Sequence, residues 1–298
     1  AMAADIDISL KNLRTDYIDL YQIHNPSLAQ LEQVIAPGGA LEALQEAKAI
    51  GKPYYIIGAG SNLLVSDEGL RATVIVLGGN LCKWAVSGNT ITAEAGLPLP
   101  VLARKAARAG LSGLEFAAGI PGSVGGAVVM NAGAYQSQMS NIIEEVLCCD
   151  QDGNLLTLDN EACGFAYRNS RFKNDKSLII LSVTFRLQPG DAEQIEKQMG
   201  YNTAARIEKQ PTSYPNAGSV FKNPPGEAAG RLIDQVGAKG WRQGDAMVSD
   251  KHANFIVNTG QAACADVLAL IERIRKTVLQ ETGFALEEEI LYLHDENL

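Results

Sequence analysis

The stretch from Ala118 to Ala127, AGIPGSVGGA, places four glycines, a proline and a serine in ten residues, with FA before it and VVMNAGAY after it. Glycine has no Cβ, so a run this dense in an apolar setting implies backbone packed hard against a flat or bulky partner. The blander reading is a pair of tight turns in a sheet. A second loop, GAGSN from Gly58 to Asn62, follows the apolar run YYII. Its glycines let successive backbone N–H groups turn toward an anion, and Ser61 and Asn62 add side-chain donors. The loop has neither the GxGxxG spacing nor the lysine of a Walker loop, so no Rossmann or P-loop assignment follows.

Around these loops the pattern is that of an α/β protein. DYIDLYQIH, Asp16 to His24, is β-branched and aromatic and predicts a strand; Leu41, Leu44, Ala47 and Ile50 recur at helical steps, with Gly51 and Pro53 closing the helix; YYIIG from Tyr54 predicts the next strand. The order strand, helix, strand puts GAGSN at a carboxyl strand end, where open α/β sheets bind ligands. TVIVL and ITAEA predict strands, PLPVLARKAARAG a helix begun by Pro98 or Pro100 and ended by Gly110, and further strands follow around Val146, Leu155 and Ile179. Beyond Pro189 come a polar helix from Ala192 to about Lys209 and an amphipathic one from Ala262 to Thr282, with Val267, Ile271, Ile274 and Val278 on one face. The domain boundary is expected near Pro189 and Gly190.

Three further segments carry chemistry. AGSVFKNP, Ala217 to Pro224, offers one hydroxyl, Ser219, followed by Lys222 and Asn223. An isolated hydroxyl is a weak acid, so Ser219 can donate a proton only to a reactive carbanion or enolate formed in place; that points to hydride addition across a conjugated double bond, with a flavin as hydride source. A flavin ring with its diphosphate would fit both glycine loops. FAYRNSRF contributes Arg168, whose guanidinium can hold a carboxylate or a developing enolate through two parallel hydrogen bonds, with Arg171 three residues on. In LEEEIL the run Glu287, Glu288, Glu289 precedes ILYL, read as a strand with alternate residues buried, so one glutamate is expected to point inward. Lys222 and Asn223 suit a substrate phosphate. His252 in KHANF reads as a structural histidine before a ligand contact.

Composition narrows the partners. With 298 residues and 46% hydrophobic content the chain can hold two domains, and its net charge of -9 argues against nucleic acid or an anionic membrane as the main partner. No apolar run reaches the roughly 20 residues needed to span a bilayer. The opening AMAADIDISL has neither a basic leader nor an apolar core, so a cytoplasmic location is expected, and no obligate protein partner is inferred. Five cysteines without CxxC spacing and three histidines predict buried thiols and no metal site.

IIGAGSNLLVSDEG, AGIPGSVGGAVVMNAGAY, FAYRNSRF, AGSVFKNP, SDKHANFIVNTG and LEEEI, in this order, give the chain from Pro53 onward a specific resemblance to the UDP-N-acetylenolpyruvoylglucosamine reductase family. That resemblance implies an α+β protein: an FAD-binding domain of the vanillyl-alcohol oxidase type over residues 1–190 and a smaller α/β substrate domain over 191–298. It implies NADPH as reductant, FAD held by Gly58, Ala59, Gly60, Ser61 and Asn62 with Gly119, Ile120, Pro121, Gly122 and Ser123, and a UDP-sugar enolpyruvyl ether as substrate. Ser219 would then be the proton donor, Arg168 and Glu289 would stabilise or help protonate the intermediate, and Lys222 and Asn223 would lie near the UDP diphosphate. The product, UDP-N-acetylmuramate, feeds peptidoglycan synthesis.

Residues before Pro53 fit that family less well. ISLKNLRTDYIDLYQIHNP with GGALEALQEAKAIGK resembles an aldo-keto reductase barrel segment, with His24 at that family's active-site histidine, yet the aspartate, tyrosine and lysine partners are absent. A junction near Lys52 and Pro53 is expected. Two alternatives to the reductase stay open: a flavin-binding protein with impaired activity, and a flavin oxidase of the same fold.

Overall fold

A computed structural model gives the fold and describes Asp19–Gln22, Gln45, Ala49, Gly51, residues 53–78 and residues 81–295. In chain order the strands that build the sheets are β1 (Asp19–Gln22), β2 (Tyr54–Ile57), β3 (Leu63–Val65), β4 (Thr73–Val76), β5 (Trp84–Ser87), β6 (Thr90–Glu94), β7 (Ile143–Cys149), β8 (Leu155–Asp159), β9 (Ile179–Arg186), β10 (Ala246–Val248), β11 (Ile256–Asn258) and β12 (Leu291–Leu293). The α-helices are α1 (Leu99–Arg108), α2 (Val124–Val129), α3 (Arg171–Asn174), α4 (Ala192–Lys209), α5 (Ala229–Gln235) and α6 (Cys264–Thr282). Compact packing divides the chain into two units: the first runs up to Gly60 and takes up again over Arg71–Thr203, the second joins Ser61–Leu70 to the residues from Ala204 onward. The sequence boundary near Pro189 and Gly190 precedes α4; the units part within that helix, at Thr203.

In the first unit β4 lies between β1 and β2, parallel to both, with Thr73 opposite Asp19 on one side and Tyr54 on the other. The two strands expected to flank a crossover helix are thus separated by a third. Gln45 and Ala49 between them are helical and exposed; the apolar positions of that helix, and His24, lie outside the described residues. A five-stranded antiparallel sheet of order β8-β7-β9-β6-β5 follows. Its central strands are largely buried, as in Ile179, Ile180, Leu181, Val183 and Phe185 of β9, and α2 packs against β6 and β9. Pro98 caps α1, Pro100 stands in its first turn, and its buried Leu99, Leu102, Ala103, Ala106 and Ala107 recur at the three- and four-residue steps expected of one face.

The second unit has its own core. β10 and β11 pair antiparallel, β12 pairs parallel with β3, and α6 packs Leu270, Ile271, Ile274 and Val278 into a cluster with Val220, Phe221, Leu232, Ile233, Leu286 and Ile290. Val267, expected on that buried face, is half-buried. In β12 all three residues are half-buried, so the alternation read from ILYL stops at Ile290. The first turn of α6 is tied to the loop after β3: Asp67 accepts from the N–H groups of Cys264 and Ala265 at 2.7 and 3.0 Å. Those donors have no intrahelical partner, so the carboxylate stabilises the helix start through hydrogen bonding and the helix dipole together.

Candidate functional site

In the first unit the two glycine loops come together. β2 ends at Ile57, and the next residue rests directly on the second loop: a Cβ on Gly58 would lie 2.3 Å from Ser123 Oγ. Ser123 is buried at the N-cap of α2 and its hydroxyl accepts the Gly126 N–H at 3.3 Å. The glycine-dense stretch is therefore a turn leading into a short helix, not a pair of tight turns. It is stitched to the β6–α1 connection by Val124 N–H to Leu97 O (2.9 Å), Gly125 N–H to Ala95 O (2.8 Å) and Leu99 N–H to Gly122 O (2.9 Å). Ala59, Gly60 and Pro121 are exposed, while Gly119, Ile120 and Gly122 are half-buried.

Two close-packed stretches of bare backbone, with a serine and no carboxylate between them, match the chemistry of a flat ring carrying an anionic diphosphate. On this test the residues present fit FAD. The chain passes from the first unit to the second at Gly60 and Ser61, and the Asn62 amide donates to the Glu289 carbonyl at 3.1 Å while its own carbonyl accepts from Leu291 N–H at 2.9 Å. Asn62 thus joins β3 to the glutamate segment.

Arg168, also in the first unit, sits at the tip of a tight hairpin closed by Ala166 N–H to Asn169 O (3.0 Å) and Asn169 N–H to Ala166 O (3.2 Å). Its φ of 52° is in the left-handed region, which costs a side-chain-bearing residue about 1–3 kcal/mol and persists only where surroundings enforce it. The guanidinium donates to Gly133 O at 3.0 Å and lies 5.1 Å from the ring centre of Tyr167. Buried Ser170, the N-cap of α3, donates to Val129 O at 2.8 Å and so ties the hairpin to α2. Arg171 lies in α3, within ion-pair reach of Asp175 at 4.0 Å.

In the second unit Ser219 precedes two buried residues, Val220 and Phe221, and this segment runs antiparallel to the glutamates: Glu289 N–H donates to Val220 O and Lys222 N–H to Glu287 O, both at 2.8 Å. Ser219 and Glu289 are thereby brought onto adjacent segments joined by an isolated antiparallel bridge at Phe221 and Glu288. The acidic run sorts itself by partner. Glu287 pairs with Lys222 and Glu288 with Arg275 at 3.2 Å; Glu288 and Glu289 are half-buried and Glu287 is exposed. Lys222 is mostly buried, and Asn223 caps the start of α5 by accepting Ala229 N–H at 3.0 Å.

Asn254, which sequence reasoning passed over, holds the Ser219 segment in place. It is buried, its carbonyl accepts Val220 N–H (2.9 Å), its Oδ1 accepts Phe221 N–H (2.9 Å), and its Nδ2 donates to Phe221 O (2.8 Å). Its one signal in sequence is a polar residue inside the apolar context ANFIV. Neighbouring His252 accepts Asn254 N–H at 3.3 Å and meets Phe255 edge-on at 4.9 Å; burial first, and the Lys239 charge second, hold its pKa below the usual histidine value. That is the structural role expected of it. Among the described residues no group of three or more His, Cys, Asp or Glu is placed to hold a metal, and no helix is long and apolar enough to cross a membrane.

The division of chemistry between the two units agrees with sequence comparison. Residues 39–159 match an FAD binding domain, and residues 210–293 match the C-terminal domain of UDP-N-acetylenolpyruvoylglucosamine reductase. The chain is 50% identical over 238 residues to UDP-N-acetylenolpyruvoylglucosamine reductase 2 of Symbiobacterium thermophilum, spanning 80% of this chain and 77% of that protein. It belongs to the UDP-N-acetylenolpyruvoylglucosamine reductase family. The reductase of Agathobacter rectalis is 46% identical over 259 residues, 83% of this chain and 82% of its own length. The crystal structure of the Thermus caldophilus reductase superposes with a TM-score of 0.74 at 42% identity, covering 85% of this chain and 90% of that one. The fold is accordingly an FAD-binding domain of the vanillyl-alcohol oxidase type joined to the C-terminal domain of this reductase family.

The match also corrects the reading of the amino-terminal region. The FAD-domain match begins at residue 39, so the helical segment assigned to an aldo-keto reductase barrel lies inside the flavin domain, and the family likeness starts ahead of Lys52 and Pro53. A short amphipathic helix closed by glycine and proline follows a strand in many α/β folds, so its pattern carries no information that separates the two families.

Proposed function

We infer that this chain is the FAD-dependent, NADPH-consuming reductase that converts the enolpyruvyl ether of UDP-N-acetylglucosamine to UDP-N-acetylmuramate for peptidoglycan synthesis. The observation that carries this reading is the family match over both units, at half identity to a reductase across four-fifths of the chain. When bound, FAD relays hydride from NADPH to the enolpyruvyl double bond. Gly58, Ala59, Gly60, Gly119, Ile120, Pro121, Gly122 and Ser123 hold the cofactor through backbone approach, with Ser61 and Asn62 continuing that loop. The domain through residue 190 serves the flavin and residues 191–298 serve the substrate.

Ser219 delivers the proton that completes the reduction. Its hydroxyl is too weak an acid to protonate anything but the substrate enolate, and Glu289, on the adjacent segment, and Arg168 steady that charge. Lys222 and Asn223 face the UDP diphosphate; the mostly buried ammonium of Lys222, paired with exposed Glu287, is a cation that an incoming diphosphate can recruit. The enzyme works in the cytoplasm on a soluble nucleotide sugar. The test is rapid-mixing kinetics of the purified flavoprotein. Ser219→Ala should retain flavin reduction by NADPH and lose roughly a hundredfold or more in reoxidation by the enolpyruvyl substrate. NADPH oxidation by the wild type that the substrate does not accelerate would refute the assignment, and rapid reoxidation by oxygen alone would favour an oxidase.

A further inference from the structure

Besides Ser170, the hairpin carrying Arg168 is held by a buried amide that no sequence signal marked. Asn131 is fully buried; its Nδ2 donates to Ala166 O at 3.0 Å and its Oδ1 accepts Ser140 N–H at 2.9 Å. Two residues on, the Gly133 carbonyl accepts the Arg168 guanidinium at 3.0 Å. One stretch of chain, Asn131–Gly133, therefore grips both the base of the hairpin, at Ala166, and the charged group at its tip. The carbonyl that receives the guanidinium cannot drift, because Gly133 pairs with Gln138 across a two-residue ladder so tight that a Cβ would lie 2.5 Å from Ser137 O. Asn131 itself has a φ of 41°, a conformation that asparagine adopts more readily than most side-chain-bearing residues.

We propose that Asn131 is a positioning residue for the reduction: its amide fixes the Ala166–Asn169 hairpin and thereby the direction of the Arg168 guanidinium. It acts through Arg168. Both ends of the amide are used, so it orients as well as fills, and by fixing the backbone at Ala166 it sets the point from which the Arg168 side chain reaches the Gly133 carbonyl. The proposal rests on the role given to Arg168 above.

The experiment compares holoenzyme variants Asn131→Gly, Asn131→Asp and Arg168→Lys. Asn131→Gly keeps the left-handed backbone accessible and removes the amide. Its flavin content and its flavin reduction by NADPH should stay within about twofold of wild type, reoxidation by the enolpyruvyl substrate should slow at least tenfold, and tryptic cleavage after Arg168 should quicken severalfold as the hairpin loosens. Asn131→Asp keeps the acceptor for Ser140 N–H and loses the donor to Ala166; the same loss in the substrate step is expected, and this variant decides the matter if the glycine variant fails to fold. A wild-type substrate step with unchanged cleavage in the Asn131 variants, while Arg168→Lys is slowed, would overturn the inference and leave Arg168 in place. A wild-type substrate step in Arg168→Lys would overturn the role of Arg168 itself.

Discussion

The contact between the two glycine loops can be tested as a double-mutant cycle. In Gly58→Ala the new methyl would stand 2.3 Å from Ser123 Oγ and 3.4 Å from Ser123 Cβ. The hydroxyl must therefore leave its place. Ser123 is only 4% exposed, so the rotated hydroxyl stays out of water, and its bond from Gly126 N–H is lost. Losing the cap costs about 1 kcal/mol and the residual overpacking about 1–3 kcal/mol, so the single variant should be destabilised by about 2–4 kcal/mol. Ser123→Ala alone forfeits only the cap, about 1 kcal/mol at this length of bond. In the double variant the nearest atom is the former Ser123 Cβ at 3.4 Å, an ordinary contact. The pair should then cost little more than Ser123→Ala, which makes the coupling about 2–4 kcal/mol in the favourable direction. Urea unfolding with flavin absorbance per protein as a second readout measures both parts: Gly58→Ala should purify with substoichiometric flavin and the double variant should regain it. Additive costs, or a Gly58→Ala protein as stable and as yellow as wild type, would refute the packing argument.

Other outcomes follow from single contacts. Asp67→Ala removes both acceptors from the first turn of α6 and should cost about 1–2 kcal/mol, seen as faster hydrogen exchange at the start of that helix, whereas Asp67→Asn should recover part of the loss. Lys222→Met should raise the KM for the UDP-sugar at least tenfold with a smaller change in kcat, because the ammonium is assigned to the diphosphate and not to the reacting carbons. Burial pushes the thiols of Cys148, Cys149, Cys163 and Cys264 up to about 11, so alkylation at pH 8 should reach none of them in the folded protein. With the folded values above the ordinary 9.0, the unfolded chain loses these protons first as pH rises, so the stability these thiols contribute is fully present below pH 9 and should be lost between pH 9 and about 11.

Much of the fold and of the site was legible before any coordinates. Leu99–Arg108 falls where its proline and glycine punctuation puts it, and the polar helix Ala192–Lys209 falls where it was expected, because helix period and caps are local properties. The residues proposed to react were equally visible, since Ser219, Arg168 and Glu289 stand in short motifs whose order identifies the family. The helical segment before Pro53 misled for the opposite reason: a generic helix closed by glycine and proline carries no family information, and the FAD-domain match from residue 39 draws on the longer span.

What the chain alone determined is the list of parts: two glycine loops, a serine in a turn, an arginine among polar neighbours and a run of three glutamates. Which parts meet was decided by tertiary structure. Gly58 is a glycine because Ser123, distant in sequence, occupies the space of its side chain, and of three consecutive glutamates two are taken up by Lys222 and Arg275 while Glu289 lies along the Ser219 segment. The supporting residues Asn131, Asn254 and Asp67 were silent in sequence for the same reason. A side-chain amide or carboxylate that satisfies backbone groups 30 to 200 positions away leaves no local pattern, and its partners exist only once the chain has folded.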